Sequence, residues 1–408
     1  MYIINLLLFC GKNNLKKYMN KKTYLASVGD VNNYKTWGGI PFFLLMEAKK
    51  KQVIDIGLNL NSDKLRFKFL RYIWNLWSMI RYKERGGFQY SDFFLSILWR
   101  SSIKEISGNR VINCFQLYPM AVMNDKTIEL WFYIDQTLRQ LYKDYKVEHI
   151  IGKRIIDSSI ERETLGYVKA KRIIVHSNWC LDSLVNDYGI PREKISVILP
   201  GANLHENYYQ EWVHKKENHI TKVECEGMLK LVFVGKHPER KGLDRLIGAF
   251  RIARGQGALI SLRIIGCNKE SVGLSESEYD KDVEWIGMVD KNKYPKGYFS
   301  LVGGCDVGCL LSRAEAGGIS LREFHALGLA VIYPIVGGSP EHAMSGASIG
   351  VGPDMTNVDI AKILVRLSSD RLFLERLKAK SWKIRNNMLN SHTVNLISKE
   401  FQKEDYTL

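Results

Sequence analysis

The sequence predicts an α/β protein built from two doubly wound units in tandem. Two observations predict it. Apolar, strand-like runs alternate with helix-like segments along most of the 408 residues, a pattern that suits open sheets with helices on both faces. The alternation is broken once, by a polar, charge-rich stretch, and then restarts. The length agrees, since it accommodates two domains of ordinary size.

In chain order, "TYLASV" (23–28) reads as a strand. "GGIPFFLLMEAKKK" (38–51) reads as a helix opening at a glycine pair, and "QVIDIGL" as a strand. Further strands are expected at "VINCFQL" (111–117), "IELWFYI" (128–134), "RIIVHS" (172–177) and "KISVILP" (194–200). The stretch 208–227 lacks strong periodicity and reads as the linker. Beyond it come the strand "LKLVFVG" (229–235), the helix "GLDRLIGAFRIAR" (242–254), and the strands "LISLRIIG" (259–266), "VEWIG" (283–287) and "DVGCLL" (306–311). A helix over about 318–328 and the strand "AVIYPIV" (330–336) follow, and residues 357–403 read as helical. The expected division is 19–212, 213–386 and a helical tail, 387–408, packing back on the first domain. Two such units facing each other enclose a cleft, and ligands of open α/β sheets sit beyond the carboxyl ends of the strands.

A chain that is 46% hydrophobic and 25% charged is globular and not disordered. It has no apolar run long enough to span a membrane. "MYIINLLLFC" is short and lacks a basic flank and a small-residue cleavage site, so residues 1–18 read as a loose extension ahead of a second start at Met19. Seven scattered cysteines fit a reducing compartment. Cys305 and Cys309 lie in a buried-strand pattern with no second pair at zinc spacing, so no metal site is expected. The net charge of +16 favours an anionic partner: nucleic acid, anionic lipid or a phosphorylated ligand. The sequence carries no RNA-binding aromatic motif or zinc finger, and its basic residues are spread widely, so nucleic acid is not the expected partner.

The stretch "RAEAGGISLREFHALGLAVIYPIVGGSPEHA" (313–343) is the most informative. A strand ends near Ser312, and "RAEAG" lies at its carboxyl end. Gly317 and Gly318 let backbone approach a ligand, and the helix that begins there offers unpaired N–H groups to an anion. Glu315 sits in the loop. Glu323 leans back toward the helix start, so both carboxylates border one phosphate-suited pocket, where they accept hydrogen bonds from hydroxyls. A nucleoside diphosphate sugar fits that description. Alone, the stretch reads equally as a glycine turn before a helix bearing an exposed glutamate. A second loop, "LVFVGKHPERKGLDRLIGAF" (231–250), brings Lys236, Arg240 and Lys241 to the end of another strand, where cations suit a diphosphate.

These motifs together resemble the retaining glycosyltransferases of the GT-B fold, in the glycogen-synthase-like and mannosyltransferase group (glycosyltransferase family 4 type), over roughly residues 20–390. The resemblance implies that Gly235, Lys236, Lys241 and Gly242 hold the donor diphosphate, with arginine more usual where Lys236 stands. Either Lys236 or Arg240 then makes the second phosphate contact. It implies that Glu315 lies by the donor sugar, that Glu323 binds the ribose, and that the backbone of Gly318 and Ile319 meets the diphosphate. "GGSPE" (337–341) and the segment 170–204 match further family loops. Gly38 and Gly39 match a loop that closes over the donor phosphates, or are an ordinary helix start. Asp135, after "FYI", stands where many relatives carry a histidine or acid by the reacting sugar, or caps the next helix.

The segment "KLRFKFLRYIWNLWSMIRYKER" (64–85) reads as a basic helix. Lys64, Lys68, Arg71, Asn75 and Ser78 form a polar stripe, and Phe69, Ile73, Leu76, Trp77 and Ile80 lie away from it. Two readings stand. In one the helix covers the first sheet with its tryptophans in the core. In the other it lies on an anionic membrane surface.

The expected protein is a cytoplasmic, retaining glycosyltransferase, peripheral at the membrane in the second of those readings. It needs no cofactor or metal, and it moves a sugar from a nucleotide sugar to a glycan or lipid-linked acceptor. The rivals are a catalytically inactive nucleotide-sugar-binding or scaffold subunit and a basic nucleic-acid-binding protein.

Overall fold

The computed structural model describes residues 21–62, 65–147, 150–219, 227–273 and 275–406. Residues 1–18, Lys64 and the end of the polar stretch, 220–226, lie outside them. The chain forms two compact units. The first runs up to Val175 and includes Ser183–Ser196; the second comprises His176–Asp182 and everything from Val197.

The strands of the first unit are β1 (Thr23–Ala26), β2 (Gly29–Asp30), β3 (Ile56–Gly57), β4 (Asn59–Leu60), β5 (Arg110–Asn113), β6 (Glu129–Ile134), β7 (Arg172–Val175) and β8 (Ile195–Val197). Six form one sheet in the order β3–β1–β5–β6–β7–β8, while β2 and β4 form a separate antiparallel pair. The pairings of β1 with β3 and β5, and of β6 with β5 and β7, are parallel. Parallel strands are covered on both faces, which is why β6 reads as a nearly unbroken apolar run; Leu130–Ile134 are all buried. Its helices include α1 (Ile40–Lys50), α2 (Leu65–Tyr82) and α3 (Lys153–Lys169).

The second sheet is wholly parallel, in the order β11–β10–β9–β12–β13–β14. Its strands are β9 (Leu229–Val234), β10 (Ile260–Ile265), β11 (Val283–Gly287), β12 (Val307–Cys309), β13 (Ala330–Pro334) and β14 (Ser348–Val351). The order steps away from β9 in one direction and from β12 in the other. The crevice beyond the carboxyl ends of β9 and β12 is therefore the switch point where doubly wound sheets bind ligands. Helices α4 (Glu206–His219), α5 (Leu243–Gly255), α6 (Pro295–Gly303), α7 (Ile319–Ala326) and α8 (Asn390–Tyr406) belong to this unit. In α5, Leu243, Leu246, Ile247, Phe250 and Ala253 are buried at helical spacing and join Phe233, Leu310 and Phe324 in one core.

The polar stretch is not simply a linker, since its first half is helix α4. Low hydropathy hides a narrow stripe in which Tyr209 and Val213 are buried. The Tyr209 hydroxyl donates to Ala326 O (2.9 Å), and Lys216 donates to Leu327 O (3.3 Å) while lying over the Trp212 ring (4.7 Å). The second unit thus takes in residues before 213. It also keeps the tail: Asn390 and Thr393 of α8 donate to Ala202 O (2.8 Å) and Leu199 O (2.9 Å).

Gly242 precedes α5 at φ +70°, and a Cβ there would stand 2.0 Å from Leu311 O. Gly242→Ala is expected to lower stability by about 2 kcal/mol or more, because a left-handed backbone and a backbone clash act together. A denaturant midpoint unchanged from wild type would contradict the tight approach of these two loops.

Candidate active site

Two loops meet at the carboxyl ends of β9 and β12. They are zipped by backbone bonds from Arg313 N to Arg240 O (2.8 Å) and from Leu311 N to Lys241 O (3.3 Å). Lys241 N itself donates to His237 O (2.8 Å), fixing the turn that carries the basic residues. The side chains then converge on Glu315. Lys241 Nζ and Ser312 Oγ (3.0 Å) donate to Glu315 Oε2, and Arg240 Nη1 lies 3.6 Å from the same oxygen. Arg240 also donates to Ala314 O (2.9 Å).

Glu315 is buried, and burial pushes its carboxyl up. The charges of Lys241 and Arg240, with the bonds from Lys241 and Ser312, outweigh burial and hold it below the ordinary carboxylate value. The group is an ionised carboxylate in a cationic setting. Directly beyond it Gly318 stands at φ +80° before α7, and Ile319, half-buried, opens the helix. The crevice therefore combines two cations with a helix N-terminus, which is how proteins hold anionic groups without bulk water.

Glu323 is fully buried within α7. Both its oxygens lie 2.6 Å from Lys291 Nζ, and Tyr298 Oη donates to Oε2. Burial pushes the Tyr298 hydroxyl well above its ordinary value, so it remains a donor. Lys291 was not singled out from the sequence. Its one signal was a basic residue in the loop after β11, on the side of the sheet where ligands bind.

Gly317 has a packing role. A Cβ on it would lie 2.6 Å from the ring of His342, so glycine is required for packing. The loop Gly337–Gly338 presses on the same segment, since Cβ atoms there would stand 2.0 and 2.1 Å from Glu315 O and Ala316 O. Glu341 of that loop accepts from Asn178 N (2.6 Å) and Trp179 N (3.2 Å) at the start of the helix Asn178–Asn186. Gly235 closes β9, with Gly266 so near that a Cβ on Gly266 would lie 2.4 Å from Gly235 O. Lys236 is exposed beside it, so of the two candidates for a second cation only Arg240 is drawn into the Glu315 cluster.

In the first unit, Gly38 (φ +65°) and Gly39 (φ +95°) are both left-handed, and Trp37 before them shares that conformation at φ 43°. A Cβ on Gly38 would meet nothing within 4 Å, so its backbone faces open space. Pro41 near the start of α1 fixes the helix beginning just after the pair. Asp135 follows β6 and is half-buried. It does not cap the next helix: Thr137 does, through a reciprocal box with Gln140.

No group of three or more His, Cys, Asp or Glu side chains suited to a metal ion occurs among the described residues. Cys305 and Cys309 are buried thiols, and burial pushes Cys305 up to about 11. Cys10 and Cys225 lie outside the described residues.

Residues 215–381 match the model of the family described as glycosyl transferases group 1. Among solved structures, Anabaena HepE in complex with UDP is 14% identical, with a TM-score of 0.61 over 95% of this chain and 100% of that one. WaaG, a glycosyltransferase involved in lipopolysaccharide biosynthesis, is 13% identical, with a TM-score of 0.57 over 92% of this chain and 99% of that one. The fold is that of the GT-B glycosyltransferases. Pneumococcal O-GlcNAc transferase GtfA, solved with UDP and GlcNAc, shares it at 17% identity and a TM-score of 0.53 over 75% of this chain; the chain spans 60% of its length. No curated protein matches the sequence. The family match lies within the second unit, and the structural likeness extends the shared fold to most of the chain. The matched span carries Lys241, Glu315 and Glu323, the residues that the structure gathers at and beside the switch point.

Proposed function

We infer that the protein transfers a sugar from a nucleoside diphosphate sugar to a glycan or lipid-linked acceptor, with retention of anomeric configuration and without a metal. The observation that carries this reading is the cluster of Lys241, Arg240, Ser312 and Glu315 at the switch point, directly before the N-terminus of α7. Lys241 spends one of its three protons on Glu315 and keeps two for the diphosphate. Arg240 and the backbone of Gly318 and Ile319 complete the anion site. These charges are in place before reaction, so they stabilise the leaving diphosphate as its charge develops. Lys241, Ser312 and Arg240 all meet Glu315 at Oε2, which leaves Oε1 to accept from a sugar hydroxyl. Glu323 is assigned to the ribose, with Lys291 and Tyr298 setting its orientation. The roles of Gly38, Gly39 and Asp135 toward the donor and the retaining outcome follow from the sequence resemblance, and the scattered cysteines favour a cytoplasmic location.

The test is a melting-temperature panel with UDP, GDP and ADP and their sugars. A ligand at about 100 times its Kd adds roughly 2.7 kcal/mol of stability, so one base series is expected to raise the melting temperature by several degrees. A flat response to all three series would contradict the assignment of the crevice to a nucleotide.

A further inference from the structure

The helix α2 has no acidic residue and divides sharply into two faces. Phe67, Trp74 and Ser78 are buried against the first unit, with Phe67 on Phe94 (5.5 Å between centroids) and Trp74 on Phe88 (5.7 Å). Asn75 accepts from Gly86 N (3.1 Å), tying the helix to the loop that follows it. The opposite face is apolar and uncovered. Phe69, Tyr72, Ile73, Leu76, Trp77 and Ile80 form a continuous stripe at helical spacing, from 44% exposed at Ile73 to 77% at Ile80. The core reading of this segment holds for Trp74 and fails for Trp77, which is half exposed.

Isolated exposed apolar residues are ordinary, but a stripe of this length is an interaction surface. Its borders say what it meets. On the helix surface, Lys68 and then Arg71 border the stripe on one side and Arg81 on the other, while Arg66 projects between Ile73 and Trp77 near the start of the helix, all four exposed. The sequence holds no Asp or Glu from Lys64 through Lys83. A second copy of the chain seated here would bring two sets of these cations together with no carboxylate in the helix to pair them. An apolar face edged by cations, with Tyr72 and Trp77 supplying rings that carry one polar end, fits the boundary between headgroups and acyl chains of an anionic bilayer. No described helix is long and apolar enough to cross a membrane, so α2 would lie in the interface plane.

We propose that α2 docks the protein on an anionic lipid bilayer, with its Phe69–Ile80 stripe in the acyl boundary and Arg66, Lys68, Arg71 and Arg81 on the headgroup charges. The test is co-sedimentation of the full chain, without nucleotide sugar or acceptor, with vesicles of phosphatidylcholine alone and of phosphatidylcholine and phosphatidylglycerol in equal parts. Each basic residue near such a surface contributes about fivefold in partitioning. The wild type is expected to bind the mixed vesicles at least about tenfold more strongly than the neutral ones. The double variants Lys68→Glu/Arg71→Glu and Trp77→Asp/Ile80→Asp are each expected to lose at least about tenfold. Both should melt as the wild type does, since the altered side chains are outside the core. Three results would overturn the proposal: no binding by the wild type, variants that keep wild-type binding, or a wild-type dimer that Trp77→Asp/Ile80→Asp turns into a monomer. Because no donor is present, failure here leaves the transferase reading intact, and a flat nucleotide panel leaves the docking face intact.

Discussion

Lys241→Ala is expected to lower turnover about a hundredfold, with a smaller loss of nucleotide affinity. A preorganised cation at a developing anion is worth on the order of 3 kcal/mol, and its effect is greatest when the diphosphate departs. Lys241 is also the nearest partner of the buried Glu315 carboxylate. Its removal leaves Arg240 at 3.6 Å and Ser312 at 3.0 Å, so Glu315 keeps part of its stabilisation. The stability cost is then about 1–3 kcal/mol, and the assay belongs well below the shifted melting transition. Steady-state rates with the donor that stabilises the protein most would check this. Wild-type turnover in Lys241→Ala would remove the basic loop from the chemistry.

Glu323→Ala is expected to be the most destabilising of the site substitutions, by roughly 3 kcal/mol, and to weaken nucleotide binding about tenfold. The structural reason is the fully buried carboxylate between Lys291 and Tyr298. Without it the Tyr298 hydroxyl is left in the core with no acceptor. Lys291, with 23% of its side chain exposed, can turn toward water and recover part of the loss. The companion measurement is the double variant Glu323→Ala/Lys291→Met. Removing the orphaned cation should restore part of the stability but none of the nucleotide affinity. A Glu323→Ala protein that unfolds at the wild-type denaturant midpoint would show that this buried triad does not hold α7.

The sheets and the two loops of the candidate site were legible because their signals are local and strong. Strands such as β9 and β10 are apolar runs bounded by glycine, and Gly242 marks the start of α5 where only a left-handed residue fits. Glu315, Lys241 and Gly318 stood out because their residue types at strand ends suit one chemistry. What the sequence concealed depends on long-range packing. Lys291 reaches Glu323 across 32 positions, and no local pattern joins them. Helix α4 is mostly polar because only the narrow stripe around Tyr209 and Val213 is covered. In α2 the apolar residues wrap too much of the helix for periodicity to say which face meets the domain. Trp74 went in and Trp77 out because Phe88 and Phe94 lie on one side only. The packing need at Gly317 comes from His342, 25 positions on, and has no local signal.

The most direct test of the account is the configuration of the first product, followed by proton NMR with an α-linked nucleotide sugar and chelator present. An α-linked product, formed by the wild type and about a hundredfold more slowly by Lys241→Ala, is the predicted result. A β-linked product, or no transfer from any donor that the protein binds, would contradict it.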